Sequence, residues 1–270
     1  NPTISALEDL ILKKDNSEKN IIGHDEDTNK SIIKNFAPVK PEGSREPFIM
    51  VHGDNCNNFM PKLLDKEQPY LGFLHIGSEG EKLGYENIQN LATFYIEQLL
   101  EYKPKGPYLL GGHSFGGIIA YEMAHQLTGM GYDVPLLVIS DSIIPEKIPV
   151  FALKRGIKRR IKIATKRMKC NAYLMSDKPV PVEYRNFYIL DSYERLSFNY
   201  KPPVYKNKIL FIRASKNPGE ISYKPWYHAA KNMKMVELEG THNEIIINKE
   251  LITQYVDIIQ NELIEVQVGL

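Results

Sequence analysis

Gly112-His113-Ser114-Phe115-Gly116 is the stretch on which the reading of the fold rests. Tyr108-Leu109-Leu110 ahead of it is an apolar run of strand type, and Ile118-Ile119-Ala120-Tyr121-Glu122-Met123-Ala124 behind it has a helical pattern. A serine between two glycines at a strand-to-helix junction is what a nucleophile elbow requires. The glycines let the backbone turn sharply and approach other chains closely, and the hydroxyl projects at a helix N-terminus. Free N–H groups at that terminus stabilise a developing negative charge. Ser114 is therefore the candidate nucleophile.

Outward from this point the pattern alternates. Phe48-Ile49-Met50-Val51 is a short apolar run expected to form a buried parallel strand, and His52-Gly53-Asp54-Asn55 ends it abruptly. A His-Gly after the first such strand is a second mark of the α/β-hydrolase fold. The expected oxyanion donors are the backbone N–H groups of Asp54 and Phe115. A carboxylate aimed at an oxyanion would oppose it, so the Asp54 side chain is expected to point away. Tyr70–Ile76 reads as a strand, and Asn87–Tyr102 as a helix with Ile88, Leu91, Ala92, Tyr95, Ile96 and Leu99 on one face. The elbow helix should end near Gly129 and Gly131, before a buried strand Leu136–Ser140 that runs into Asp141. Strands are expected again at Ile209–Ile212 and Met235–Leu238. A closing helix carries Leu251, Ile252, Tyr255, Val256, Ile259 and Leu263 as its packing stripe. This order predicts an α/β fold with a mostly parallel, doubly wound sheet, whose ligands sit beyond the carboxyl ends of the strands.

Ser114 and Asp141 both fall at such ends. After Ile209–Ile212, the loop Ala214-Ser215-Lys216-Asn217-Pro218-Gly219-Glu220 occupies the place where many α/β-hydrolases keep their acid, yet Lys216-Asn217 leaves it without a nearby aspartate. Asp141 is accordingly the expected acid, with Glu220 the alternative. Gly240-Thr241-His242 follows the last strand, so Ser114, Asp141 and His242 come in the chain order of this hydrolase class. A carboxylate after a strand or a histidine on a loop can also be purely structural, and only their joint order makes the case.

The 270 residues, 43% hydrophobic, suit one large α/β domain or two small ones. A formal net charge of +1 implies neither nucleic acid nor membrane as partner. The two cysteines, Cys56 and Cys170, lack disulfide-framework or metal-ligand spacing, so a reducing, cytoplasmic setting is expected and no metal site. Cys56, near the oxyanion loop, reads as packed. No apolar run reaches about 18 residues, the length a membrane-spanning helix needs. Between about 143 and 205 the alternation stops, and an insertion of that kind is the usual place for a lid over the serine. Charge is uneven within it: Phe151–Lys169 holds nine basic residues and no acidic one, and +1 overall with +9 here leaves −8 elsewhere. Leu153, Ile157, Ile161, Ala164 and Met168 fall at near-helical spacing, which predicts a basic amphipathic helix. Such a helix is either a solvated face or a docking surface for an acidic or phosphate-bearing partner. A second helix is expected from Glu183 to Phe198.

Taken together, Gly106-Pro107-Tyr108, Gly111-Gly112-His113-Ser114-Phe115-Gly116-Gly117, Ala120-Tyr121-Glu122-Met123-Ala124, Asp141 and Gly240-x-His242 make the chain, from roughly Pro47 to Val266, resemble the thioesterase domains of nonribosomal peptide, polyketide and fatty acid synthases. The resemblance implies a serine thioesterase with no cofactor of its own. Its acyl or peptidyl thioester substrate would arrive on the phosphopantetheine of a carrier domain in the same polypeptide. It also implies docking of that acidic carrier on Lys154, Arg155, Lys158, Arg159 and Arg160. The chain starts at Asn1 and reads as a piece of something longer. Asn1-Pro2-Thr3-Ile4 to Ile11 resembles the last helix of a carrier domain, so the expected organisation is a carrier remnant over 1–14, a solvated linker over 15–40 and the thioesterase domain over 41–270. Three other readings stand beside it: a free-standing editing thioesterase, a carboxylesterase, and a non-catalytic ligand-binding relative. A carboxylesterase should carry a His-Gly-Gly run where this chain has His52-Gly53-Asp54, and a binding module usually lacks a triad member.

Overall fold

The sheet is built around Leu109–His113, a strand with every residue buried. The computed structural model describes residues 35–52, 55–144, 157–198, 200–217 and 223–269. Among these, seven strands run in chain order β1 (Phe36–Lys40), β2 (Phe48–Val51), β3 (Tyr70–Phe73), β4 (Leu109–His113), β5 (Leu136–Ser140), β6 (Tyr205–Ala214) and β7 (Ala230–Leu238). They lie in the order β1-β3-β2-β4-β5-β6-β7. Every neighbouring pair is parallel except β1 with β3. The α/β-hydrolase reading thus stands: a mostly parallel sheet with helices between its strands.

Because strand side chains alternate, β2 sends Ile49 and Val51 to one face and Phe48 and Met50 to the other. Parallel strands covered on both faces have no polar side, which is why β2 is apolar throughout and β4 and β5 open with apolar runs. One face is covered by α2 (Ile88–Tyr102) and α3 (Phe115–Gly129). The expected stripe of α2 is buried as a whole, and Asn87 caps it by accepting a hydrogen bond from the Asn90 N–H. The opposite face is covered by α1 (Asn55–Leu63) and α8 (Lys249–Gln267), whose Ile252, Tyr255, Val256, Ile259 and Leu263 pack with Cys56 and Met60.

Several boundaries differ from the sequence expectation for physical reasons. The strand expected to reach Ile76 stops at Phe73, because β2 ends at Val51 and the last rung is the His52 N–H to the Phe73 carbonyl. Phe36–Lys40, assigned to the linker, is instead the antiparallel edge strand β1. β6 and β7 each extend towards their N-termini, through Lys206-Asn207-Lys208 and Lys231-Asn232. Those polar residues read as loop. β7 is the edge strand, where lysines are common and discourage pairing with other chains, and the β6 residues precede the first rung with β5 at Ile209. Two of the lysines, Lys208 and Lys234, are paired with the buried Glu262 of α8. Helix α1 was not foreseen, since three asparagines and an internal Pro61 are poor helix formers. Its hold is tertiary, through Cys56, Met60 and the adjoining Leu64.

Between β5 and β6 the described residues form two helices, α4 (Ile157–Met175) and α5 (Val182–Ser197). The apolar stripe expected to face inward does not: Ile161 and Met168 are exposed, and Arg167, Cys170 and Leu174 face the body instead. Arg167 makes a bidentate pair with Asp191 of α5, at 2.9 and 2.6 Å. Lys166 and Lys169 lie over the rings of Phe187 and Tyr184. Part of the basic charge therefore holds the two helices together. Helix α5 is tied in turn to the loop after β3, where the Tyr188 hydroxyl accepts the Leu83 N–H and Tyr193 bonds to Ile76. The segment 1–34, which includes the expected carrier remnant, lies outside the described residues.

Candidate active site

Three adjacent parallel strands, β2, β4 and β5, each end in a non-glycine residue with positive φ: His52 at 50°, Ser114 at 55° and Asp141 at 44°. L-residues seldom adopt this region, and such backbone clusters at functional sites. At β4 the turn is made possible by its glycines. A Cβ on Gly112 would overlap the Gly116 carbonyl, and one on Gly116 would overlap the carbonyl of Val51 in the neighbouring strand. Ser114 then stands at the N-cap of α3, half-buried, with its N–H bonded to the Ser140 carbonyl of β5 at 2.8 Å. Phe115 is the first residue of α3, so its N–H has no acceptor within the helix. Asp54, the other expected donor, lies outside the described residues.

One strand over, Asp141 is 1% exposed and accepts hydrogen bonds on both oxygens. Oδ1 accepts the Ala214 N–H at 3.0 Å and the Tyr223 hydroxyl at 2.9 Å, while Oδ2 accepts the Asn217 side-chain amide at 2.8 Å. The fourth partner, also on Oδ2, is His242 Nδ1 at 2.6 Å. Burial alone would raise the Asp141 pKa. The bonds from His242, Asn217 and Ala214 outweigh it and lower the value to about 2. The group is thus an anion at neutral pH. With a carboxylate on Nδ1, that nitrogen carries the proton and Nε2 of a neutral His242 is left as acceptor.

His242 comes from the short loop between β7 and α7 (Glu244–Ile247). Its backbone N–H donates to Asn217 Oδ1 at 2.6 Å, and its ring stacks on His113 at 4.6 Å between centroids. His113, the residue before Ser114, is buried and in contact with the Ser140 hydroxyl at 3.1 Å. The fold therefore brings together the carboxyl ends of the strands carrying Ser114 and Asp141 and the loop carrying His242. Glu220, the alternative acid, lies outside the described residues.

Two partners of Asp141 were missed from sequence. Asn217 was visible only as the absence of an aspartate after β6, and it proves to bond both Asp141 and the His242 backbone. Tyr223 gave no signal, because an isolated tyrosine before a short helix, α6 (Lys224–Ala229), is indistinguishable from core. Of the basic residues expected to dock a partner, Lys154 and Arg155 lie outside the described residues, as do the side chains of Lys158 and Arg159. Arg160 is exposed on α4. Among the described residues no group of three His, Cys, Asp or Glu could hold a metal ion, and no helix is long and apolar enough to cross a membrane.

A serine at a strained elbow, a buried carboxylate and a histidine bonded to it, set on this sheet, define an α/β-hydrolase. The comparisons narrow the class. Residues 61–160 match the thioesterase domain family. Malpibaldin synthetase of Mortierella alpina is 28% identical over 261 residues, which is 90% of this chain and 4% of that protein. Polyketide synthase PksR of Bacillus subtilis (strain 168) is 30% identical over 145 residues, 52% of this chain and 5% of its own. Among solved structures, a four-domain nonribosomal peptide synthetase bound to AMP and glycine aligns with a TM-score of 0.63 at 22% identity, over 82% of this chain and 20% of the other. The NocB thioesterase domain in covalent complex with a fluorophosphonate nocardicin G analogue gives 0.62 at 20% identity, over 84% and 97%. The type II thioesterase BorB gives 0.61 at 16% identity, over 88% and 100%. The chain is related to the thioesterase domains of nonribosomal peptide and polyketide synthases, and it spans 4% of Malpibaldin synthetase and 5% of PksR.

Proposed function

We propose that this domain releases an acyl or peptidyl chain from the phosphopantetheine of a carrier domain, using Ser114, His242 and Asp141 as nucleophile, base and orienting acid. The observation that carries the reading is the 2.6 Å Asp141–His242 bond at the strand ends beside the Ser114 elbow. His242 Nε2 takes the Ser114 proton as Oγ attacks the thioester carbonyl, and the Oγ–C bond forms. The oxyanion is met by the N–H groups of Phe115 and Asp54; one such donor is worth about 3 to 4 kcal/mol in the transition state. The C–S bond then breaks, His242 returns the proton to the departing thiolate, and an ester on Ser114 remains. Water activated by His242 gives the free acid. An internal hydroxyl or amine gives a macrolactone or macrolactam.

Action in cis is supported by the relatives, whose matching segments lie inside much larger synthases. The likeness to the type II thioesterase BorB supports a second reading, a free-standing editing role. In the first reading the carrier docks on Lys154, Arg155, Lys158, Arg159 and Arg160, and no cofactor is bound by the domain itself. The test is intact-protein mass spectrometry with a panel of acyl-pantetheine thioesters and acyl-loaded carriers. Wild type should gain the acyl mass, Ser114→Ala should not, and a product lighter by one water marks cyclisation. A folded wild type that gains no mass from any substrate, free or carrier-bound, overturns the proposal.

A further inference from the structure

Tyr193 of α5 belongs to the insertion, yet its ring is 3% exposed and sits among residues of the sheet's carboxyl edge. It lies parallel to Phe115, with centroids 4.3 Å apart and planes within 5°. It also stacks on His52 at 5.2 Å and 18°, and on His75 at 5.5 Å and 29°. Its hydroxyl donates to the Ile76 carbonyl and accepts the Ile76 N–H, both at 3.1 Å. His52 is held in addition by the Tyr95 hydroxyl, 2.7 Å from its Nε2. One side chain from the lid thus touches the residue that ends β2, the residue that opens α3, and the loop after β3.

Those first two points flank the place where an oxyanion would be held. Phe115 carries one expected donor on its own backbone, at the first position of α3. A donor stabilises an oxyanion only if it is aimed before the reaction, and small misalignments forfeit much of its effect. The Phe115 side chain is only half-buried, so its orientation depends on what lies against its face, and Tyr193 supplies that face.

We propose that Tyr193 is a positioning residue for oxyanion stabilisation: through its stack on Phe115, backed by His52, the seated helix α5 aims the Phe115 N–H. Acyl transfer is therefore at full rate only with α5 in place, and lifting the lid lowers the reactivity of Ser114 as well as opening the site. The proposal rests on the thioesterase reading and deepens it.

The experiment compares wild type with Tyr193→Leu, Tyr193→Phe, Phe115→Leu and the Tyr193→Leu/Phe115→Leu double variant, all in the full chain. Three quantities are read: kcat and KM on an acyl-pantetheine thioester, affinity for an alkyl boronic acid that forms a tetrahedral adduct on Ser114, and Tm. Tyr193→Leu should lose about 10- to 100-fold in kcat with KM within about twofold, and boronate affinity should fall in parallel. Tyr193→Phe keeps the stack and loses the Ile76 bonds, so its loss should be smaller. The double variant should lose no more than the worse single one, since both remove the same contact. Should Tyr193→Leu fail to fold, Tyr193→Phe and Phe115→Leu carry the test. A loss confined to KM, an unchanged boronate affinity, or additive losses in the double variant would overturn the proposal. A wild type that binds the boronate but turns over no thioester defeats the thioesterase reading alone, since boronate affinity across the variants still decides the role of Tyr193. A wild type that neither binds the boronate nor turns over thioester defeats both.

Discussion

The Asn217 side-chain amide donates to Asp141 Oδ2 at 2.8 Å, the same oxygen that accepts His242 Nδ1. The other end of that carboxamide accepts the His242 backbone N–H. The residue that stands where an acid was looked for thus fixes both the Asp141 carboxylate and the loop of His242. Asn217→Ala should lower kcat/KM about tenfold while leaving the fold intact, consistent with the loss of hydrogen bonds to a charged group. Asn217→Asp should be worse, because two carboxylates would share one site and one would take a proton. Steady-state kinetics on a soluble thioester, with melting curves as control, measure both.

Asp141→Asn keeps the size of the side chain and removes its charge. The amide can present its NH2 to His242 and favour the wrong tautomer, so kcat should drop roughly a thousandfold or more. Fluorophosphonate labelling of Ser114 should slow in proportion, which a mass-resolved time course would record.

The elbow glycines predict a different kind of failure. Gly116→Ala forces a methyl group against the Val51 carbonyl, which cannot yield without shifting β2. A destabilisation of about 1 to 3 kcal/mol is expected from overpacking, together with loss of activity out of proportion to it. Urea denaturation paired with kinetics would separate the two effects.

Stability should fall in mild acid. Burial, with His75 beside it, pushes the His52 pKa well below the ordinary 6.5. Below about pH 6.5 the unfolded chain therefore takes up a proton that the folded chain refuses, and stability decreases as pH falls. The slope for one such group approaches about 1.4 kcal/mol per pH unit. His52→Phe should flatten the curve between pH 7 and 5 by that amount in urea titrations. Asp141, lowered from 3.8 to about 2, acts in a separate window: its contribution is present above about pH 4 and disappears towards pH 2.

Docking of an acidic carrier on the basic segment has its own signature. Charge reversal at Arg159 and Arg160 should weaken reaction with carrier-bound substrate and spare a small soluble thioester. Equal loss on both would assign these charges to the fold, as Arg167, Lys166 and Lys169 already are.

The centre of the sheet was legible because β2, β4 and β5 are buried on both faces, so each opens with an apolar run and keeps polar side chains for its carboxyl end. The N-terminal parts of β6 and β7 were not: Tyr205 and Lys208 pair with Ala230 and Asn232 across an irregularity in register, while the polar side chains there read as loop. Asp141 and His242 could be placed in order from motif spacing, but Tyr223 could not, since its role depends on a contact across 82 residues. The helix expected over Glu183–Phe198 was located to within a residue at each end, whereas α4 runs on to Met175 and its inward face was misread. Its buried side is set by an Arg167–Asp191 ion pair, and hydrophobic periodicity does not report ion pairs.

The positive φ angles at His52, Ser114 and Asp141 carry an evolutionary consequence. Each non-glycine residue held there costs of order 1 to 3 kcal/mol, and glycine would relieve most of it. Selection for thermal endurance alone would therefore erode the elbow first, because the Ser114 side chain makes no capping bond, whereas the bonds of Asp141 and the packing of His52 hold those positions. Variants recovered from such a selection should accumulate glycine at Ser114 and lose turnover as they gain melting temperature. Activity is what keeps the elbow from drifting to its more comfortable sequence.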